Sequence, residues 1–208
     1  MTDEQLRFAL SALSRGEVVA AATETFFGLL VDPRLPGALD KLFALKGRAA
    51  LKGVALLLPG KEAWRALVAE IPPLAERLAD RFWPGPLSIA LRARPELDRR
   101  LTVDGTVAVR WPGASDAARI TEAFGAPLTA TSANVTGAPA CASAEEVNSA
   151  FSAALGRGEL AVVPGRASGG EPSTLVAVTP HGVRIVRSGR IRESDLSRLV
   201  EASARRQM

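Results

Sequence analysis

The apolar segments of this chain are short, and most are bounded by glycine or proline. Val54–Leu58 runs into Pro59-Gly60, and Leu87–Leu91 follows Trp83-Pro84-Gly85-Pro86. Thr106–Arg110 meets Trp111-Pro112-Gly113, and Leu160–Val163 meets Pro164. Val18–Ala22 and Pro127–Ala130 are similar runs, and Ser173–Val178 and Val183–Arg187 flank Pro180-His181-Gly182 as a hairpin. Segments of this length read as strands. Helical patterns separate them. Thr2 and Gln5 fit a capping box before Leu6, Leu10 and Leu13, with Gly16 as the stop. A helix follows Pro36-Gly37 and ends near Lys46. Others are expected from Lys61 to about Glu70, and from Pro72-Pro73 with Leu74, Leu78 and Phe82 on one face. Three more run from Asp116 to Phe124, from the Ser143/Glu146 capping box to about Leu155, and from Ser194 to Arg206. Strands and helices alternate irregularly and include a hairpin, so the expected class is α/β with a mixed parallel and antiparallel sheet. No repeat or long linker divides the chain. The reading is one domain, 1–208, with its core at about 3–190 and a helix at 194–206.

A chain of 208 residues can bury one full core. No apolar run approaches the roughly 20 residues that span a bilayer, and Met1-Thr2-Asp3-Glu4 lacks the basic start of a secretory signal. The expectation is a cytoplasmic protein without a membrane partner. Cys141 is the lone cysteine and His181 the lone histidine, which leaves no disulfide and no His/Cys metal cluster. A net charge of +4 and a pI near 10 favour anionic partners such as nucleotides or RNA.

The common phosphate loops, G-x-x-x-x-G-K-[ST] and G-x-G-x-x-G, are absent, and so is the nucleophile elbow G-x-S-x-G. Cys141 has no evident base beside it. What remains is a set of cations and hydroxyl or amide groups at strand ends. Lys46-Gly47-Arg48 places a point charge and a planar fork one residue apart, projecting together if the backbone is extended. Two solvated charges at a helix end would look the same in sequence. Thr23 with Thr25 and Ser132 with Asn134 repeat the i, i+2 spacing, although threonines also simply favour strands. Arg110 alternates to the face opposite Val107 and Val109, where it can point into a cavity. With Arg187 and Ser173, this set suits a polyphosphate and a carboxylate better than hydride transfer or peptide hydrolysis.

In order along the chain, several segments resemble the YrdC/TsaC family of L-threonylcarbamoyladenylate synthases. Ala22-Thr23-Glu24-Thr25-Phe26-Phe27-Gly28-Leu29 is similar to P-T-[DE]-[TA]-x-[YF]-G-[LV], and Lys46-Gly47-Arg48 to K-x-R. Trp83-Pro84-Gly85-Pro86-Leu87-Ser88 is similar to W-P-G-P-[LV]-T. Val107-Ala108-Val109-Arg110 and Thr131-Ser132-Ala133-Asn134 follow V-A-V-R and [TP]-S-A-N. Pro172-Ser173-Thr174 and Val186-Arg187-Ser188-Gly189 close the set. The resemblance covers about residues 18 to 190.

The resemblance implies a twisted mixed sheet, helices around it and a large, positively charged concave face. It implies that L-threonine, bicarbonate and ATP are joined into threonylcarbamoyl-AMP with release of pyrophosphate. That is the first step of threonylcarbamoyladenosine formation in tRNA. Lys46, Arg48, Ser132 and Asn134 would hold the ATP phosphates and the carbamoyl unit, Lys46 and Arg48 acting as the catalytic pair. Thr106 and Arg187 would complete the nucleotide side. Thr25, Arg110 and Ser173 would orient threonine, Arg110 through the carboxylate. Mg2+ would arrive on the phosphates. The product would pass to a threonylcarbamoyl transferase complex, with a weak tRNA or RNA contact as a further implied partner. Departures are Ala22 for proline, Phe27 for tyrosine, Ala49 after K-x-R, and Lys52-Gly53-Val54 for proline-leucine. The chain resembles the short form, without the extra C-terminal domain of longer synthases. The alternatives are an RNA-binding or ribosome-maturation protein on the same basic face, and a paralogue that hydrolyses threonylcarbamoyl-AMP.

Overall fold

The computed structural model describes residues 1–47, 54–179 and 182–204. Helix α1 (Asp3–Ser14) starts with the expected box: Thr2 Oγ1 accepts from Gln5 N and Gln5 Oε1 accepts from Thr2 N. Strand β1 (Val18–Ala22) is buried throughout and turns back into β2 (Phe27–Leu30). Helix α2 (Ala38–Lys46) leads to β3 (Ala55–Leu57), and α3 (Pro73–Phe82) to β4 (Leu87–Arg92). A short β5 (Thr102–Val103) pairs with β6 (Thr106–Arg110), which precedes α4 (Asp116–Phe124) and β7 (Leu128–Ser132). Then come α5 (Ala144–Ala150), α6 (Ser152–Gly156), β8 (Leu160–Val162), β9 (Thr174–Thr179), β10 (Gly182–Arg187) and α7 (Glu193–Ala204).

The strands form one mixed sheet in the order β10-β9-β4-β6-β3-β7-β2-β1-β8. Its β4–β9, β3–β6 and β1–β8 pairs are parallel and the other pairs along it are antiparallel. The mixed sheet is therefore as expected, and the β9–β10 hairpin forms. Its tip, Pro180 and His181, lies outside the described residues, as does the end of the tail helix at Arg206.

Side-chain alternation gives the sheet two unequal faces. One face carries Val18, Ala20, Phe27, Leu29, Leu56, Val107, Val109, Leu87, Ile89 and Val176 into a core that spans it from β1 to β9. Residues of α2, α3, α5, α6 and α7 close that core. Phe27 is 1% exposed here, so the hydroxyl of a tyrosine at this position would be buried. The opposite face carries a smaller core, in which Val19, Ala21, Leu30, Leu57 and Leu128 meet Ala9, Ala12 and Leu13 of α1 and Ala117 and Ile120 of α4. That core contains no residue of β4, β6, β9 or β10.

Three local expectations are corrected. Lys61–Ala66 is a 3-10 helix rather than an α-helix to Glu70, because Val68 is drawn into a bridge with Ala93. Its Trp64 is fully buried and packs edge-on against Trp83, with centroids 5.1 Å apart. The helix after Ser143 breaks at Phe151 (φ −121°, ψ 25°), whose side chain turns into the larger core. Lys46 is not in an extended stretch. It ends α2, and Gly47 takes the left-handed conformation (φ 58°, ψ 37°) that closes a helix and favours glycine.

Candidate functional site

The uncovered half of the second face is the candidate site. Paired residues of neighbouring strands share a face, and the register sets Arg184, Ala177, Ala90 and Ala108 side by side across β10, β9, β4 and β6. The next positions on this face are Arg187 with Leu175 and Ser88 toward one end, and Arg92 with Thr106 toward the other. Small alanines keep the floor low, and arginines stand around it. Thr106, Ala108, Leu175 and Ala177 remain partly exposed, unlike Val107 and Val109 behind them. Thr106 opens β6 and Arg110 ends it, on the same side of the strand. The Thr106 hydroxyl donates to Val103 O at 2.8 Å.

Arg110 is buried, with 5% of its surface exposed. Its Nη2 donates to Glu24 Oε2 in an ion pair, and the other carboxylate oxygen of Glu24 accepts from Gly113 N at 3.1 Å. The Arg110 Nε–H is buried without a partner. Burial pushes the Arg110 pKa down and Glu24 opposes that shift. Arg187 lies close enough to feel it: burial and then the charge of Arg110 both lower the Arg187 pKa. As a residue Arg187 is exposed, but its guanidinium is held at Ser173, donating to the carbonyl at 2.9 and 3.1 Å and to Oγ at 2.9 Å. The register agrees: Arg187 pairs with Leu175 and Leu175 with Ser88, and Ile89 opposite Val109 sets Ser88 opposite Arg110, so both arginines stand on one row of this face. An arginine stays charged in water even when its pKa falls somewhat. Two arginines on one row of this face, with one carboxylate paired to Arg110, leave a net positive charge that suits an anion.

A second cluster lies where β7 ends. Lys46 Nζ donates to Ser132 O at 2.6 Å and to Asn134 Oδ1 at 2.8 Å. Ser132 Oγ donates to the same Asn134 oxygen at 2.6 Å, and Asn134 Nδ2 donates to Ala138 O at 2.5 Å. The helix end carrying Lys46 is held from the same loop, since Thr136 donates both its N–H (3.2 Å) and Oγ1 (2.9 Å) to Lys46 O. Lys46 is 3% exposed. Ser132 pairs with Gly28, which pairs with Ala21, so Ser132 shares the face that carries Arg110.

The β1–β2 turn joins the two clusters. Thr23 and Thr25 are brought together by this bend, with their hydroxyls 3.1 Å apart, rather than by a continuing strand. Thr23 Oγ1 has one proton, which goes to Phe26 O at 2.7 Å, so Thr25 is the donor between them and its oxygen keeps free acceptor capacity. A side chain at Gly28 would touch Thr23 Cγ2 at 3.4 Å, which places Thr23 beside the Ser132 strand. Glu24, between the threonines, reaches Arg110. A cleft of about 410 Å³ opens beside this turn, lined in part by Glu24, Ser115, Asp116, Arg166 and Arg190. The glycine-rich loop 164–172 closes on the turn through Gly169 N to Thr25 O at 2.7 Å.

The structure thus gathers Lys46, Ser132 and Asn134 in one cluster and Arg110, Arg187 and Ser173 in another, with Thr25 at the turn between them. Thr106 stands on the same face, at the far end of β6 from Arg110. Arg48 lies outside the described residues, as do Ala49, Lys52 and Gly53. Sequence reasoning missed Glu24 and Thr136 as working parts. The acidic position inside the T-[DE]-T segment was the available signal for Glu24. Burial pushes the Cys141 thiol pKa up, with Glu146 adding to it, which disfavours a thiolate there. Among the described residues no three His, Cys, Asp or Glu side chains gather as a metal cage, and no helix is long and apolar enough to cross a membrane.

Comparison with known proteins places the chain in a family. The Sua5/YciO/YrdC family model, described as telomere recombination, matches residues 11–189, so the chain belongs to that family. Relatives named threonylcarbamoyl-AMP synthase include one from Vibrio cholerae, 39% identical over 171 residues, covering 80% of this chain and 88% of the relative. Another, from Photobacterium profundum, is 33% identical and covers 83% and 93%. The Pyrococcus abyssi relative is 32% identical over 94% of this chain, but the chain spans only 57% of it. The P. abyssi Sua5 crystal structure complexed with L-threonine aligns with a TM-score of 0.88 at 31% identity, over 96% of this chain and 58% of that one. Escherichia coli YciO, at 19% identity, shares the fold with a TM-score of 0.79 over 94% of both chains.

Proposed function

We propose that this member of the Sua5/YciO/YrdC family is a threonylcarbamoyl-AMP synthase, a nucleotidyltransferase that uses L-threonine, bicarbonate and ATP. The observation that carries this reading is the uncovered half-face, where a low alanine floor lies between the Arg110–Arg187 pair and the Lys46–Ser132–Asn134 cluster. The relatives' names and the threonine complex of P. abyssi Sua5 support the substrate class.

Arg110 takes the threonine carboxylate, with Ser173 and Thr25 orienting the rest of threonine and Thr25 accepting from its amine or hydroxyl. Arg187, its fork fixed by Ser173, completes the nucleotide side, as the resemblance implies, while adding positive charge at this end. Lys46, with Arg48, Ser132 and Asn134, holds the phosphates. Thr106 stands on the nucleotide side of the floor. The threonine nitrogen captures carbon dioxide from bicarbonate and loses a proton, which gives a carbamate. A carbamate oxygen then attacks the α-phosphorus, and the bond to the β-phosphate breaks to release pyrophosphate. Water from the bicarbonate completes the balance. Charge grows on the leaving phosphates, where Lys46 and Arg48 neutralise it. Such electrostatic donors contribute roughly 10²–10³-fold each. Magnesium carried by ATP would supply further charge screening at the phosphates that Lys46, Arg48, Ser132 and Asn134 hold. The chemistry asks for positioning and charge, not a protein nucleophile, which accords with an unactivated Cys141.

No aromatic side chain stands among the floor and rim positions named above, which leaves few stacking platforms for an RNA-binding role. The product, a mixed anhydride, is consumed by a transferase that carries the threonylcarbamoyl group to tRNA. The test is product identity: carbon-13 bicarbonate, threonine and ATP incubated with the protein should yield labelled threonylcarbamoyl-AMP by mass spectrometry. Label that never leaves bicarbonate would reject the reading.

A further inference from the structure

We infer that Glu24 is a positioning residue for the ligand carboxylate, acting through Arg110. The inference rests on the reading that Arg110 binds the carboxylate of threonine. Glu24 itself faces Arg110 and the backbone of the 111–115 segment.

Three observations carry it. Glu24 and Arg110 are 86 residues apart in sequence, and their side chains are only 14% and 7% exposed. An ion pair so far from water is costly to form unless its geometry serves a purpose or its remaining groups are satisfied. Second, the Glu24 carboxylate is divided. One oxygen holds Arg110 Nη2, and the other holds Gly113 N at 3.1 Å. Dividing it this way leaves the Arg110 fork incompletely used, and Arg110 Nε–H is buried with no partner. A carboxylate bound edge-on to Nε and Nη2 would satisfy that orphan. Third, Arg187 adds a second positive charge on the same row of the sheet face as Arg110, since Arg187 pairs with Leu175, Leu175 with Ser88, and Ser88 lies opposite Arg110. Without Glu24, the Arg110 side chain would lose its anchor and be free to swing away from Arg187. Glu24 therefore fixes the direction of the fork and ties it to the turn that carries Thr25.

The role predicts a loss specific to ligands with a carboxylate. Binding of L-threonine and of L-threoninol, which lacks the carboxylate, would be measured by calorimetry for the wild type, Glu24→Ala, Glu24→Gln, Glu24→Asp and Arg110→Ala. The wild type should prefer threonine. In Glu24→Ala that preference should fall at least ten-fold, with ATP affinity kept within about two-fold. Glu24→Gln keeps the length but only one acceptor oxygen, so it can hold Arg110 Nη2 or Gly113 N and not both, and should lose about three-fold of the preference. Glu24→Asp is too short to hold both partners and should fall between the two, which serves if Glu24→Ala does not fold. A Glu24→Ala variant that keeps its full preference, whether by binding both ligands as before or by weakening both by the same factor, would overturn the positioning role; so would an unchanged preference in Glu24→Asp where Glu24→Ala does not fold. Arg110→Ala with an unchanged preference would instead reject the carboxylate reading beneath it, so the two failures are distinguishable.

Discussion

Lys46 and Asn134 lie 88 residues apart in the sequence and meet at 2.8 Å, ammonium to side-chain carbonyl. The contact joins the end of α2 to the end of β7, and Ser132 Oγ reaches the same oxygen. The two polar segments therefore meet in three dimensions as one built cluster. Its consequence is direct. Lys46→Ala should lower the rate of synthesis by roughly 10²–10³-fold, read by single-turnover formation of threonylcarbamoyl-AMP, while circular dichroism stays native.

Thr136 acts one step behind Lys46. It donates twice to the Lys46 carbonyl, and Thr136→Val removes the hydroxyl bond while the backbone bond remains. The lost bond is worth about 1 kcal/mol, so kcat/KM for ATP should fall on the order of five-fold. A threonine KM that shifts instead would place Thr136 elsewhere in the site.

Gly189 illustrates close backbone approach. A Cβ there would sit 2.2 Å from Pro172 O and 2.7 Å from Ser173 C, so backbone must move. Gly189→Ala should cost about 1–3 kcal/mol through overpacking and lower Tm by roughly 2–4 °C per kcal/mol. Threonine binding should weaken with it, because Ser173 is displaced. Thermal denaturation and threonine titration check both parts.

Filling the floor tests the site's shape. Ala108 is partly exposed and lies beside Ala90 in the register. Ala108→Leu should raise the KM for ATP more than ten-fold with little change in Tm, since the added atoms enter the cleft and not the core. A fall in Tm with unchanged KM would mean that the floor is already covered.

Asp98 is one of several carboxylates that contribute to acid stability. Hydrogen bonds from the Arg100 side chain hold Asp98 below the ordinary aspartate value of 3.8, against the opposing effect of burial. A carboxylate depressed in the folded state stabilises at pH above its unfolded value, and loses that contribution as pH falls through the folded value. The dependence of Tm on pH below about 4 should therefore flatten in Asp98→Asn.

Much of the frame was legible because local chemistry decided it. The Ser115 cap and left-handed Gly125 bound α4 at Asp116–Phe124, as its apolar spacing suggests. Alternation in β6 put Thr106 and Arg110 opposite the two valines before any partner strand was known. Long-range pairings were not legible. The helical reading of Lys61 to Glu70 was sound as propensity, but Val68 gains more by pairing with Ala93. Phe151 breaks its helix to enter the core. Gly47 was read as a spacer between two cations, and its left-handed conformation was hidden by that reading. Glu24 was overlooked as a working residue because an acid looks out of place in an anion site. Only the fold shows that it faces an arginine rather than the ligand.

Pyrophosphate release from ATP, with threonine and bicarbonate supplied together, singly or not at all, decides whether this protein is a threonylcarbamoyl-AMP synthase. Release should require both co-substrates and collapse in Lys46→Ala and Arg110→Ala. Release from ATP alone, or none from folded protein that binds ATP and threonine, would contradict the synthase reading.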